Sequence, residues 1–243
     1  MEAAVTKPDS TGECTGGEER FIISEDFPIL YEGAEQKVAI PDLSRTGCIL
    51  IGGSDRNDVE RILSALMAPI VEVAEAGRYR IVAVEAGAGR VCRELLGEKN
   101  VITDRRKAIA AMREIAREMD ARLEQMEEKG VRKADQIGIV HKVLIINEIS
   151  ELAPIKGMAV EEHLMWIVQK CRPANIHCIV TTARPHLRTI REPLRSNFMT
   201  RIAARTEHKH ESEFLLGHYG AAELRRNGEV IIDLGGRAIK GIV

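Results

Sequence analysis

Apolar residues gather in short unbroken runs along this chain. Cys48–Ile51, Arg80–Val84 after its first residue, Val143–Ile146 and Ile176–Thr182 are four such runs. Each stops at Gly or at polar residues. A short apolar run with such a stop suits a strand buried on both faces of a parallel sheet. Between the runs the spacing turns helical. Val59, Ile62, Leu63, Leu66, Met67 and Ile70 predict a helix over Asp58–Ala74. Ile109, Met112, Ile115, Ala116, Met119 and Leu123 predict a longer one over Asp104–Lys129, ended by Gly130. Its opening, Thr103-Asp-Arg-Arg106, is a weak capping box because the fourth residue is not Glu. Glu161–Gln169 reads as a short helix, and Arg201–Arg205 and Glu229–Asp233 as later strands. Phe21–Ile23 and Val38–Ile40 read as short early strands. Strands alternating with helices predict an α/β domain with a mainly parallel sheet flanked by helices.

Such sheets bind ligands at the carboxyl ends of their strands. Gly52-Gly53, Asn147-Glu148 and Thr181-Thr182 all fall at predicted strand ends, which points to one site or the remnant of one. Many ATPases that handle phosphates end a buried strand with Asp-Glu. The Asp holds Mg²⁺ through water and the Glu orients the attacking water. Here the pair is Asn147-Glu148, and a neutral Asn holds a divalent cation poorly.

Composition narrows the partners. The 243 residues are 44% hydrophobic and 30% charged, as in ordinary globular domains. Aromatics are only 3%, so the core is expected to be aliphatic. A net charge of −2 means that any nucleic-acid contact rests on a local basic patch. Cys14, Cys48, Cys92, Cys171 and Cys178 form no CxxC pair and read as buried free thiols of a reducing compartment. No apolar run approaches a membrane span. Residues 1–20 are polar and Gly-rich and read as a disordered tail, leaving 21–243 as one domain.

From about Val38 to Asp233 the chain resembles the RecA-like motor domain of the FtsK/SpoIIIE DNA translocases, within the FtsK/HerA group. Val168-Gln-Lys-Cys-Arg-Pro-Ala-Asn-Ile-His-Cys-Ile-Val-Thr-Thr-Ala-Arg-Pro185 looks like that family's AQKGRAAGIH followed by LxLATQRP. Ser196–Ala203 looks like its ANxxTRIAF, and Gly220–Glu229 like its GAExLLGxGD. Glu118-Met-Asp-Ala-Arg122 with Gly130-Val-Arg132 looks like its EMxxRY…GxRN. The matches are collinear and imply a RecA-like P-loop NTPase fold.

The departures gather at the nucleotide site that the resemblance implies. The P-loop GxxxxGK[ST] should fall at Gly52, Gly53, Ser54, Asp55, Arg56, Asn57, Asp58 and Val59. The second Gly is Asn57, the Lys is Asp58 and the hydroxyl residue is Val59. A P-loop surrounds phosphates with N–H groups, reaches them with its Lys and holds Mg²⁺ with Ser/Thr. Asp58 puts repulsion where Lys would supply attraction. The family's Gln after the fourth strand, beyond Thr182, is Ala183, and its Asp-Pro-Lys after the second is Glu85-Ala86-Gly87. These degenerate motifs imply lost hydrolysis, with no ATP or Mg²⁺ cofactor. Arg56 is a candidate replacement for the Lys. Glu148 is either a retained water-orienting carboxylate or a helix-capping or ion-pairing residue.

Other groups have plainer readings. His208-Lys-His210 reads as a solvated loop, not a metal site. Cys171 with His177 is discounted as a nucleophile pair. The Arg105–Lys107 cluster and the charges along Arg113–Lys129 read as a solvated face, although Arg122 matches an Arg of the family pattern. Lys170 and Arg172 match family positions near loops that face DNA. Arg188 and Arg191, with His186 and Arg195, add a second basic cluster. These groups serve either duplex DNA, without sequence preference, or a protein interface.

The expectation is a catalytically inactive FtsK/HerA-like domain. It would be a DNA-binding or ring-forming accessory of a DNA translocation, packaging, conjugation or secretion machine. It would act as a homo-oligomer or in a mixed ring with active ATPase subunits. An active translocase with a deviant P-loop and a protein-docking module are the alternatives. The expected location is the cytoplasm, with recruitment to a membrane-bound machine. The chain looks too short for the family's extra N-terminal domain or its winged-helix domain, so directional reading of DNA sequence is not expected from it alone.

Overall fold

The structure, a computed structural model, describes residues 30–32, 37–39, 43, 47–152, 160–225, 228–236 and 238–243. The expected tail, the expected strand at Phe21–Ile23 and Cys14 lie outside the described residues.

The apolar runs all become strands. β1 (Leu30–Glu32) and β2 (Lys37–Ala39) pair antiparallel as a small ribbon. One larger sheet holds β3 (Cys48–Gly52), β4 (Tyr79–Val84), β5 (Val101–Ile102) and β6 (His141–Ile146). It also holds β7 (Ile176–Thr182), β8 (Thr200–Ala203), β9 (Glu229–Leu234) and β10 (Ala238–Ile242). Their order is β10-β9-β8-β3-β7-β6-β4-β5. From β8 to β5 the pairs are parallel, and β9 and β10 extend the sheet antiparallel.

Helices cover both faces. They are α1 (Arg56–Glu75), α2 (Val91–Leu96), α3 (Arg105–Glu128), α4 (Val160–Lys170), α5 (Glu192–Arg195) and α6 (Lys209–Leu216). Side chains alternate across a strand, so β3 feeds two cores. Cys48 and Leu50 pack with α3 and α4, and Ile49 and Ile51 pack with α1. Cys48, Cys92, Cys171 and Cys178 are buried and free. The short elements α2, β5, α5, α6 and β10 carry too little periodicity to be read from the sequence.

Two local readings change. The cap of α3 is Asp104, whose Oδ1 accepts the Lys107 N–H at 2.8 Å, and not Thr103. Arg122 does not belong to a solvated face. It is buried, and its Nη1 donates to the carbonyls of Ala174 (2.7 Å) and Asn175 (3.2 Å). Its Nη2 donates to Glu118 at 2.7 Å, and Lys142 of β6 pairs with the same carboxylate. Burial pushes the Glu118 carboxyl up, but the Lys142 and Arg122 contacts outweigh it and hold its pKa below the ordinary value.

His177 lies inside β7 with its Nε2 2.8 Å from His141 Nδ1, and His141 Nε2 lies 3.0 Å from Asp135. Burial, with the neighbouring His141 charge second, lowers the His177 pKa to about 3. Once unfolded, the ring takes up its proton near the ordinary 6.5. The unfolded state therefore binds more protons below that pH, and stability falls with acid. The contribution is expected to be full above 6.5 and to decline by up to about 1.4 kcal/mol per pH unit toward 3. Glu118 acts with the same sign lower down, because a depressed carboxyl stabilises above its unfolded pKa and loses that as pH falls through its folded one. Urea titrations at pH about 7.5 and about 5.5 check this, with a His177→Asn variant expected to show the shallower pH dependence.

Candidate functional site

The three strand ends meet. β3, β7 and β6 are neighbours in the sheet. Gly53 N–H donates to the Thr182 carbonyl (3.3 Å), and Glu148 N–H donates to Thr181 Oγ1 (2.8 Å). Thr181 Oγ1 donates to Asn147 Oδ1 at 2.9 Å, and Thr182 Oγ1 to Glu148 Oε1 at 3.2 Å. Residues far apart in sequence thus share one polar seam along the carboxyl edge of the sheet.

The segment between β3 and α1 is short. Only Gly53, Ser54 and Asp55 separate them, and α1 begins at Arg56, two residues before the periodicity places it. Asp55 is the N-cap, with extended backbone (φ −106°, ψ 124°), and its carboxylate accepts the Asn57 N–H at 2.7 Å. In a phosphate-binding loop that helix end faces an anion. Here a carboxylate of the chain itself stands there. Ser54 Oγ donates to Glu211 (2.8 Å) and accepts the Glu207 N–H (2.8 Å), while Ser54 N–H donates to the Arg205 carbonyl (3.1 Å). These bonds tie the loop to the segment between β8 and α6 and to the first turn of α6. Gly53 is needed there, because a Cβ would stand 2.9 Å from Ala204 Cβ.

Asp58, Val59 and Asn147, three of the positions that depart from the motifs, are all engaged. Asp58 is buried and lies 3.4 Å from Arg61 Nη1, and Val59 is in the core beneath α1. Arg56 Nη2 donates to Glu151 Oε1 at 3.3 Å. Asn147 Nδ2 donates to Glu85 Oε1 (2.7 Å) and reaches Glu60 Oε1 at 3.3 Å. Glu85 also accepts the N–H groups of Cys92 (3.0 Å) and Arg93 (3.2 Å) and the Arg93 Nε–H (3.0 Å). This carboxylate caps the start of α2, a role the sequence did not disclose. Burial raises the Glu60 carboxyl pKa although Asn147 donates to it. A Cβ at Gly89 would come within 2.5 Å of Asn147 Nδ2 and 2.8 Å of Glu60 Oε1, so the cluster is closely packed.

Glu148 holds a left-handed backbone (φ 61°), a conformation uncommon outside Gly and Asn. Its carboxylate accepts the Ala183 N–H (2.6 Å) and the Ser150 N–H (3.2 Å), besides the Thr182 hydroxyl. It is only 4% exposed. These are contacts of the kind a capping carboxylate makes. Glu148→Gln is expected to cost about 1–3 kcal/mol of stability, because an amide NH₂ would face donors. A residue that only orients water would tolerate that change, and thermal unfolding of the variant distinguishes the two.

The basic residues divide. Lys170 ends α4 and Arg172 follows it, ahead of β7, while Arg188 and Arg191 come after β7. The seven residues of β7, roughly 20 Å of extended chain, lie between the two pairs in sequence, and Arg191 meets Glu161 at the start of α4 while Lys170 ends it. Lys170 Nζ lies 3.4 Å above the Trp166 ring. Arg191 pairs with Glu161. Arg172 shares a concavity of about 590 Å³ with Arg78, Arg132, Lys133, Asp135 and His141. Of those cations, only Arg132 fell within a motif noted in the sequence.

No family model matches the chain. Over 141 residues, 55% of its length, it is 33% identical to the DNA translocase FtsK of Chlorobaculum tepidum. Over 84% of its length it is 26% identical to the DNA translocase FtsK of Bradyrhizobium diazoefficiens. It spans 18% and 30% of those two relatives. The solved structure of the pCW3 conjugation coupling protein TcpA, in monomer form with ATPγS, superposes with a TM-score of 0.74 at 20% identity. That match covers 88% of this chain and 64% of the other. In sequence and in its RecA-like, P-loop NTPase-type fold, this chain is an FtsK/SpoIIIE-like domain.

Proposed function

We propose that the domain is a non-hydrolysing subunit of a DNA translocation, packaging, conjugation or secretion machine. It holds duplex DNA through backbone phosphates, or completes a ring with itself or with active ATPase subunits. Relatedness to DNA translocases supports that setting. The observation that carries the loss of hydrolysis is the Asp55 carboxylate on the first turn of α1, at the end of the helix that a phosphate would use. The experiment is an ATPase assay with and without duplex DNA. No turnover above background is expected, and a DNA-stimulated turnover of ordinary motor size would overturn the reading.

The DNA half of the proposal rests on Arg172 within its basic concavity and on Lys170 nearby. Phosphate contacts of this kind are weak, with Kd of roughly 10⁻⁴–10⁻⁶ M for one unit at physiological salt. A salt titration of wild type against Lys170→Ala/Arg172→Ala is expected to show weaker binding and a shallower log K against log[salt]. The slope should change by roughly 0.9 for each phosphate that the variant no longer neutralises. An unchanged slope assigns both residues to a protein interface. One observation favours a protein-docking reading at the other basic pair: Leu187, beside Arg188, is 59% exposed at a cavity of about 630 Å³ that Phe214 also lines.

A further inference from the structure

Cys48 opens β3, and Cys171 follows the last turn of α4. They are 123 residues apart in sequence, yet their Sγ atoms lie 3.1 Å apart. Both are 1–2% exposed. A disulfide needs about 2.05 Å between sulfurs, so roughly 1 Å of movement would close the gap. The flanking segments lie close together. Gly47, next to Cys48, has φ +70°, and a Cβ on it would stand 3.2 Å from Arg172 Cβ. Cys178 is the in-register neighbour of Cys48 on β7 and is also a free thiol.

We propose that Cys48 and Cys171 are the site of an intramolecular disulfide that ties β3 to the end of α4 and so anchors the turn carrying Arg172. The co-reactant is a small-molecule disulfide. A thiolate of the pair attacks one of its sulfurs and releases one small thiol. The second thiolate of the pair then attacks the mixed disulfide and releases the other. Two protein thiols are oxidised, one small disulfide is reduced to two thiols, and the two protons end on the released thiols. The hydrogen bond with Cys171, with burial second, holds the Cys48 thiol well above its ordinary pKa, so thiolate is scarce and reaction proceeds through local opening. The closed bond spans more than a hundred residues of chain and is expected to raise Tm by roughly 5–15 °C.

The test incubates the full chain with excess oxidised glutathione, both natively and in mild urea. Free thiols are then alkylated, and the chain is digested without reduction for mass spectrometry. The expected product is a Cys48–Cys171 peptide pair two hydrogens lighter than its parts, together with the rise in Tm. Cys178→Ser should retain both effects, and Cys48→Ser and Cys171→Ser should each lose both. Absence of that pair in both conditions, pairing with another cysteine instead, or a cross-linked chain whose Tm is unchanged or lower would overturn the proposal.

Discussion

ATP affinity is expected to stay low when Asn57→Gly, Asp58→Lys, Val59→Ser and Asn147→Asp are made together, and to rise only when Asp55→Ser is added. The four changes restore the residue types of a phosphate loop and its cation site. They leave the Asp55 carboxylate on the helix N-terminus, 2.7 Å from the Asn57 N–H. A unit charge about 4 Å from another is worth on the order of 4 kcal/mol at an effective dielectric of about 20. Asp55 is exposed, and solvent screening reduces that figure. A remainder of about 2–3 kcal/mol corresponds to roughly 100-fold in Kd. Ser is as good an N-cap as Asp, so the fifth change removes charge without unwinding α1. Titration of both variants with a fluorescent ATP analogue and Mg²⁺ checks this. Equal affinities would mean that Asp55 is no barrier.

Arg122→Ala is expected to be strongly damaging for folding, costing about 3–5 kcal/mol. It strips the Ala174 and Asn175 carbonyls of a buried donor and leaves Glu118 to Lys142 alone. For a domain of this size the loss appears as roughly 6–20 °C in Tm. Arg122→Lys keeps the charge without the guanidinium fork, so its loss is expected to be intermediate. A Tm within about 2 °C of wild type for Arg122→Ala would show that the clasp is not structural. The turn it holds carries Arg172, so the same variant is expected to weaken DNA binding before it unfolds.

Local pattern determined much of this protein. The apolar runs became β3, β4, β6 and β7, and the 3.6-residue spacing became α1 and α3, because strand and helix periods depend on neighbours a few residues away. The polar strand ends at Gly52, Asn147 and Thr181 were legible for the same reason, and so was their convergence once the sheet was taken as parallel. Residue identity by itself showed that Asp58, Val59 and Asn147 depart from a phosphate loop. What tertiary structure decided is where each side chain finds its partner. Asn147 turns its amide to Glu85, Glu148 turns its carboxylate to Ala183 and Thr182, and Arg122 reaches carbonyls 52 and 53 residues away. Those choices follow from burial, which requires a partner for each polar group that leaves water but says nothing in sequence about which one. The same holds for the basic residues. Lys170, Arg172, Arg188 and Arg191 lie within 22 positions of one another, and only the extended path of β7 between them brings Arg191 to Glu161 at the start of α4 while Lys170 ends that helix.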